Sequence, residues 1–159
     1  MKNISILLIM GSMFVEFCGF LDNPREKEEN INNGVAEKQV TIFEKRYSVK
    51  SVQTETYLVD SNYFLKDPPV AKCYTNSNHI AVNREYWEEI SKKKKQISIT
   101  HELGHCVFDL SHDQKLLTKK CPNSLMYANP VPVDCYEKYK SHYIQNMKEK
   151  IQSSNRVKR

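Results

Sequence analysis

The chain has 159 residues, 40% of them hydrophobic and 27% charged, with a formal net charge of +5. That is long enough for one domain with its own core and too short for two, and the composition excludes both a disordered chain and a multispanning membrane protein. The excess positive charge comes partly from the run Lys92 to Lys95 and from the tail Arg156 to Arg159, without aromatic interleaving or a nucleic-acid motif; it predicts a solvated basic face and no nucleic-acid partner.

Residues 1–17 read as a signal peptide. Lys2 gives the positive start, and Ile4 to Val15 form an apolar run too short for a stable membrane span. Export, to a bacterial cell envelope or the medium, is the expectation. Cys18 closes the run in Val15-Glu-Phe-Cys-Gly19, the place where bacterial lipoproteins carry the cysteine that is lipidated and becomes the mature N-terminus. Phe17 stands where a small residue is usual and Glu16 breaks the apolar run, so membrane attachment through a lipidated Cys18, ordinary cleavage and an uncleaved anchor are all open. Setting Cys18 aside leaves Cys73, Cys106, Cys121 and Cys135, enough for two disulfides in an oxidising compartment, in any of three connectivities. No Cys-x-x-Cys pair occurs, which argues against a cysteine-zinc site.

Residues 18–37 form a tether, since from Asp22 to Lys38 the chain is polar and lacks an apolar period. One domain, 38–159, follows. Val40 to Val49 and Glu55 to Val59 are β-branched and aromatic with partial alternation, which predicts strands. Asp67-Pro-Pro69 stops the chain before a further strand, Val70 to Thr75. The turn residues Asn76-Ser-Asn78 precede a short strand, His79 to Asn83, that leads into helical Arg84 to Ile90. From about Lys94, Ile99, Leu103, Cys106 and Leu110 recur at steps of four, three and four, the stripe of a helix packed on a core. After the turn Cys121-Pro122-Asn123 and an irregular stretch around Pro130 and Pro132, Asp134 is placed to cap a last helix reaching about Gln152. Strands first, then a central helix, a loop and a final helix predict an α+β domain rather than alternating βαβ units.

The central helix carries His-Glu-Leu-Gly-His-Cys-Val-Phe-Asp-Leu-Ser-His-Asp, residues 101 to 113. His101 and His105, four apart on a helix, share a face and can reach one tetrahedral metal. Glu102 beside them can take a proton from an activated water without ligating the metal, the division of labour of His-Glu-x-x-His metallopeptidases. Gly104 costs about 1 kcal/mol relative to alanine in a helix, which points to another backbone packed closely there.

The segment resembles the metzincin family of zinc metallopeptidases, whose pattern continues through a glycine that turns the chain and then a third histidine. The glycine and histidine positions of that pattern fall here on Phe108 and Ser111, but the pattern reappears one residue later as Asp109-Leu-Ser-His112-Asp113, with Asp109 in place of the glycine. Asp tolerates the left-handed conformation better than most residues and can swing His112 back to the metal. Ser124-Leu-Met126-Tyr127 looks like the methionine turn of the family. The resemblance covers about the last sixty residues and implies a small twisted sheet packed on the site helix, zinc (Zn2+) on His101, His105 and His112, Glu102 as general base, Met126 as a floor, and a protein or peptide substrate cleaved by hydrolysis. Asp113 is expected to bond near the third ligand or to the mature N-terminal region.

Two alternatives stand beside this. Glu137 on the last helix is a rival third ligand, which gives a gluzincin-like peptidase. A noncatalytic surface lipoprotein that binds a partner is the rival from another class, and the intact Glu102 argues against it. His79 and His142 read as ordinary polar residues and Trp87 as core. Cys106 and Cys121 bracket the third-ligand loop, which suggests that they pair and that Cys73 pairs with Cys135. His79 to Asn83 is expected to be the sheet edge along which an extended peptide lies.

Overall fold

Ala36, Val40, Phe43 and Tyr47 stand at steps of four, three and four, and in the structure, a computed structural model, they line one side of a helix, α1 (Glu37–Tyr47). The strand expected over Val40 to Val49 is therefore corrected. Its β-branched and aromatic content masked a helical period, and the core contacts of Phe43 and Tyr47 decide the outcome. The structure describes residues 34–49, 52–64 and 66–157; the leader, Cys18 and the tether up to residue 33 lie outside the described residues.

Three strands follow the helix: β1 (Glu55–Val59), β2 (Ala71–Tyr74) and β3 (His79–Asn83). The sheet order is β1-β3-β2, with β3 parallel to β1 and antiparallel to β2. The segment 79–83 is thus the fully buried centre of the sheet and not its edge. That expectation is overturned because a strand flanked on both sides has no free hydrogen-bonding groups to offer a peptide. β2 is the edge strand that packs on the long helix Lys92–Phe108.

Asn83 ends β3 and caps α2 (Arg84–Glu89), accepting the Glu85 N–H. Ser91 then caps α3 (Lys92–Phe108) by accepting the Lys94 N–H at 3.2 Å. Ile99, Leu103 and Phe108 of α3 meet Phe43 and Tyr47 of α1, the β1 and β3 residues Leu58, Ile80 and Val82, and Met147 and Ile151 of the last helix. A second cluster, which includes Ile97, Leu125, Val131, Tyr136 and Tyr143, holds the N-terminal half of α3 against the loop that follows it. The expected last helix is two: α4 (Val133–Lys138), started by Pro132 rather than capped by Asp134, and α5 (Lys140–Val157), separated by Tyr139 at φ −116° and ψ 28°.

Disulfides join Cys73 to Cys106 and Cys121 to Cys135, which corrects both pairings expected from loop positions. β2 lies directly on α3, bringing the Cys73 and Cys106 Cα atoms to 5.7 Å, and the turn at Cys121 packs on α4, where the Cα atom of Cys135 is 5.6 Å away. Two such crosslinks fit an oxidising, exported environment. No helix among the described residues is long and apolar enough to cross a membrane.

Candidate metal centre

Because α3 buries Ile99 and Leu103 toward the core, His101, Glu102 and His105 occupy its other, half-buried side. The helix stops at Asp109, whose φ of 54° and ψ of 35° place it in the left-handed region expected of it. The Asp109 N–H returns to the His105 carbonyl and the Leu110 N–H to the Gly104 carbonyl, both at 3.1 Å. This reversal lays the Leu110 carbonyl over His105 and sends the chain back, so that His112 reaches the other two histidines. A hydrogen bond from the Asp113 N–H to the Met126 carbonyl, 2.8 Å, then ties the loop to the methionine segment. The Asp113 carboxylate pairs with Lys150 at 3.0 Å and accepts the Lys115 N–H at 3.1 Å. Both partners lie in the C-terminal half of the chain; the N-terminal region that was the other expected partner of Asp113 lies outside the described residues.

The three Nε2 atoms form a triangle: His101 to His105 3.1 Å, His105 to His112 3.1 Å, His101 to His112 3.3 Å. His101 Nδ1 lies 2.7 Å from the Leu125 carbonyl and His105 Nδ1 lies 2.6 Å from the Leu110 carbonyl. A carbonyl only accepts, so each of these rings carries its proton on Nδ1 and turns an Nε2 lone pair inward. Lone pairs converging at this separation repel unless a cation sits among them. A tetrahedral metal with bonds of about 2.0–2.1 Å sets its ligand nitrogens about 3.3 Å apart, and the triangle matches that within a few tenths of an ångström. Among the described residues, these three histidines are the only group of this kind that can hold a metal. Burial lowers His101 to about 4, against the opposing pull of the Leu125 carbonyl, and the His105 and His112 charges push the same way as burial. Burial also lowers His105. Both rings are therefore neutral, the form that ligates, at ordinary pH.

Glu102 sits beside the triangle, its Oε1 3.9 Å from His101 Nε2. Oε2 accepts the main-chain N–H of Cys73 at 2.7 Å. Burial pushes its carboxyl up to about 7, with the Cys73 N–H and the Lys72 charge working in the other direction. A carboxyl at that value exchanges protons readily at neutral pH.

Met126 is fully buried beneath α3. A Cβ at Gly104 would run into its Sδ and lie 3.0 Å from both Met126 Cε and Met147 Cε. Gly104 does mark a close approach, but the partner is a thioether side chain and not a backbone. Glu137 is elsewhere: its carboxylate pairs with Lys93 at 2.7 Å on the surface. His79 is buried on β3, stacked on Tyr74 and bonded to Ser77 Oγ at 2.7 Å; His142 bonds the Asn123 carbonyl at 2.8 Å. Trp87 is core, as expected.

What the motif did not disclose is the main chain around it. The Leu110 and Leu125 carbonyls and the Cys73 N–H orient the three key side chains, and no residue type announces such groups. A hollow of about 320 Å³ opens beside His101 and Glu102, walled by Val70, Ala71, Ile97, Ser98, Leu125 and Val131 among others. A larger, open one of about 860 Å³ lies between the His112 loop and α5, and reaches neither Glu102 nor the other two histidines.

Comparison with protein-family models, with curated proteins and with solved structures finds no match for this chain.

Proposed function

We propose that the protein is a zinc-dependent endopeptidase of metzincin type. The observation that carries this reading is the convergence of three Nε2 atoms at 3.1–3.3 Å with a half-buried carboxylate, Glu102, on the residue after the first histidine. Binding alone needs no proton acceptor there. An imidazole-only donor set suits zinc, and His101, His105 and His112 would hold it while leaving one side open to substrate. A zinc ion so held supplies Lewis acidity, lowering the pKa of water and polarising a peptide carbonyl.

The chain's own residues do the rest. Glu102 Oε1 is the free carboxylate oxygen; it takes the proton of the attacking water and returns it to the leaving amine, while Oε2 stays on the Cys73 N–H. The substrate lies extended along β2, the strand at the sheet edge beside α3. The 320 Å³ hollow next to Glu102 receives a substrate side chain against its mainly apolar wall. This chain's departures from the family pattern, Asp109 for glycine and one extra residue before the third histidine, are absorbed by the left-handed turn at Asp109.

Zinc stoichiometry of the oxidatively folded protein and of His112→Ala tests the centre, and cleavage of a peptide library by the wild type and by Glu102→Gln tests the activity. One zinc per chain in the wild type, an affinity more than about 100-fold weaker in His112→Ala, and cleavage lost in Glu102→Gln are expected, since an outer-shell change alone already costs 10–100-fold in metal affinity. Equal zinc in both proteins would place the third ligand elsewhere and end the three-histidine reading.

A further inference from the structure

Glu102 and Cys106 are four residues apart on α3 and so share a face. Cys73 on β2 meets both: its Sγ is bonded to Cys106 and its main-chain N–H to Glu102 Oε2. β2 is an edge strand, so this N–H leaves the sheet rather than joining it. The position of Glu102's hydrogen-bond donor is therefore set by how β2 docks on α3, and the crosslink sits one helical turn from the carboxylate. The second disulfide is placed differently. Cys121 and Cys135 close the segment that carries the Leu125 carbonyl, the partner of His101 Nδ1.

We infer that the Cys73–Cys106 disulfide is a positioning element for Glu102, holding the Cys73 N–H on Oε2 so that Oε1 is left facing the histidine triangle, whereas Cys121–Cys135 supports the metal ligand His101. The inference rests on the reading of Glu102 as the base. It divides the two crosslinks between proton transfer and metal binding, a division that a merely stabilising role does not produce.

The experiment compares the full-length zinc-loaded wild type with Cys73→Ser/Cys106→Ser and Cys121→Ser/Cys135→Ser, using the NMR signal of the residue 73 amide, zinc affinity and peptide turnover. In the wild type the residue 73 amide proton is shifted downfield by the carboxylate, and Glu102→Ala identifies this by abolishing it and speeding exchange about 10-fold or more. Cys73→Ser/Cys106→Ser is expected to lose the same signature, to keep one zinc at unchanged affinity, and to lose about 10-fold or more in kcat with little change in KM. Cys121→Ser/Cys135→Ser is expected to keep the signature and to bind zinc about 10-fold more weakly. A downfield, protected residue 73 amide in the first variant overturns the inference, as does an equal loss of zinc affinity in both. Where the first variant does not fold, Cys73→Ala/Cys106→Val refills the half-buried site with apolar side chains and is read by the same amide. If the wild type cleaves no peptide, the peptidase reading fails separately, and the amide pattern still decides whether the disulfide holds the carboxylate.

Discussion

Glu102→Gln separates a base kept at a cost from an ordinary helix residue. In the folded, metal-free protein the Glu102 carboxyl is raised from 4.5 to about 7, chiefly by burial. Between those values the folded state holds a proton that the unfolded chain has released, so stability falls as pH rises through the window and the full cost is present above 7. At 1.36 kcal/mol per unit, a rise of this size amounts to about 3 kcal/mol. Glutamine keeps an oxygen for the Cys73 N–H and carries no charge, and His101 and His105 are common to both proteins, so their titrations drop out of the difference. Metal-free Glu102→Gln should therefore match the wild type near pH 4.5 and exceed it by about 3 kcal/mol at pH 8, on the order of 10 °C in Tm. Urea or thermal unfolding in a chelator at the two pH values reads this. Zinc, by its charge, favours the ionised carboxylate, so the gap should narrow in the loaded proteins and the acid limb of wild-type activity should fall below pH 7. A stability difference that does not vary with pH, or a wild type that is the more stable at pH 8, would refute the reasoning.

Other substitutions probe the frame of the centre. Gly104→Ala gains about 1 kcal/mol of helix propensity but drives a methyl group into Met126, an overpacking cost of about 1–3 kcal/mol; a lower Tm and weaker zinc binding by competition with a chromophoric chelator are expected. Asp109→Gly should keep both fold and zinc, because glycine accepts the left-handed turn without strain. Asp109→Val places a β-branched residue at that φ, costs about 1–2 kcal/mol and displaces the Leu110 carbonyl from His105, so zinc affinity measured the same way should drop.

The parts of this protein that could be read from sequence are those where one residue type has one physical use. Four-residue spacing put His101 and His105 on one side of a helix, and Asp109 as the left-handed stop and Met126 as a buried neighbour of the centre both stand in the structure. Elements went astray where composition and period disagreed. Val40 to Val49 looked like a strand by residue type although Val40, Phe43 and Tyr47 carried a helical period, and burial against α3 and α5 settled the matter. Register and pairing were not legible at all. That β3 lies between β1 and β2, and that Cys73 therefore faces Cys106, depends on a strand order that no local signal encodes.

The loop that delivers the third histidine shows how main-chain geometry can fix a side chain at a distance. His112 has to deliver one nitrogen to within 3.1–3.3 Å of two others, and the chain between α3 and that nitrogen is held at two points. At one end the Asp109 turn returns N–H groups to Gly104 and His105; at the other the Asp113 N–H is fixed on the Met126 carbonyl. Between those anchors only Leu110, Ser111 and His112 remain, and Leu110 is used by the site itself, since its carbonyl orients His105. The loop is thus constrained by its ends and by its role: Asp109 ends the helix in the left-handed conformation and leaves three residues to bring His112 to the other two rings. The same anchors link His112 to the segment that holds His101 through Leu125. Displacing either anchor should therefore weaken zinc binding without touching one of the three histidines, and the Asp109→Val and Gly104→Ala variants should share that signature although one perturbs the turn and the other pushes on Met126.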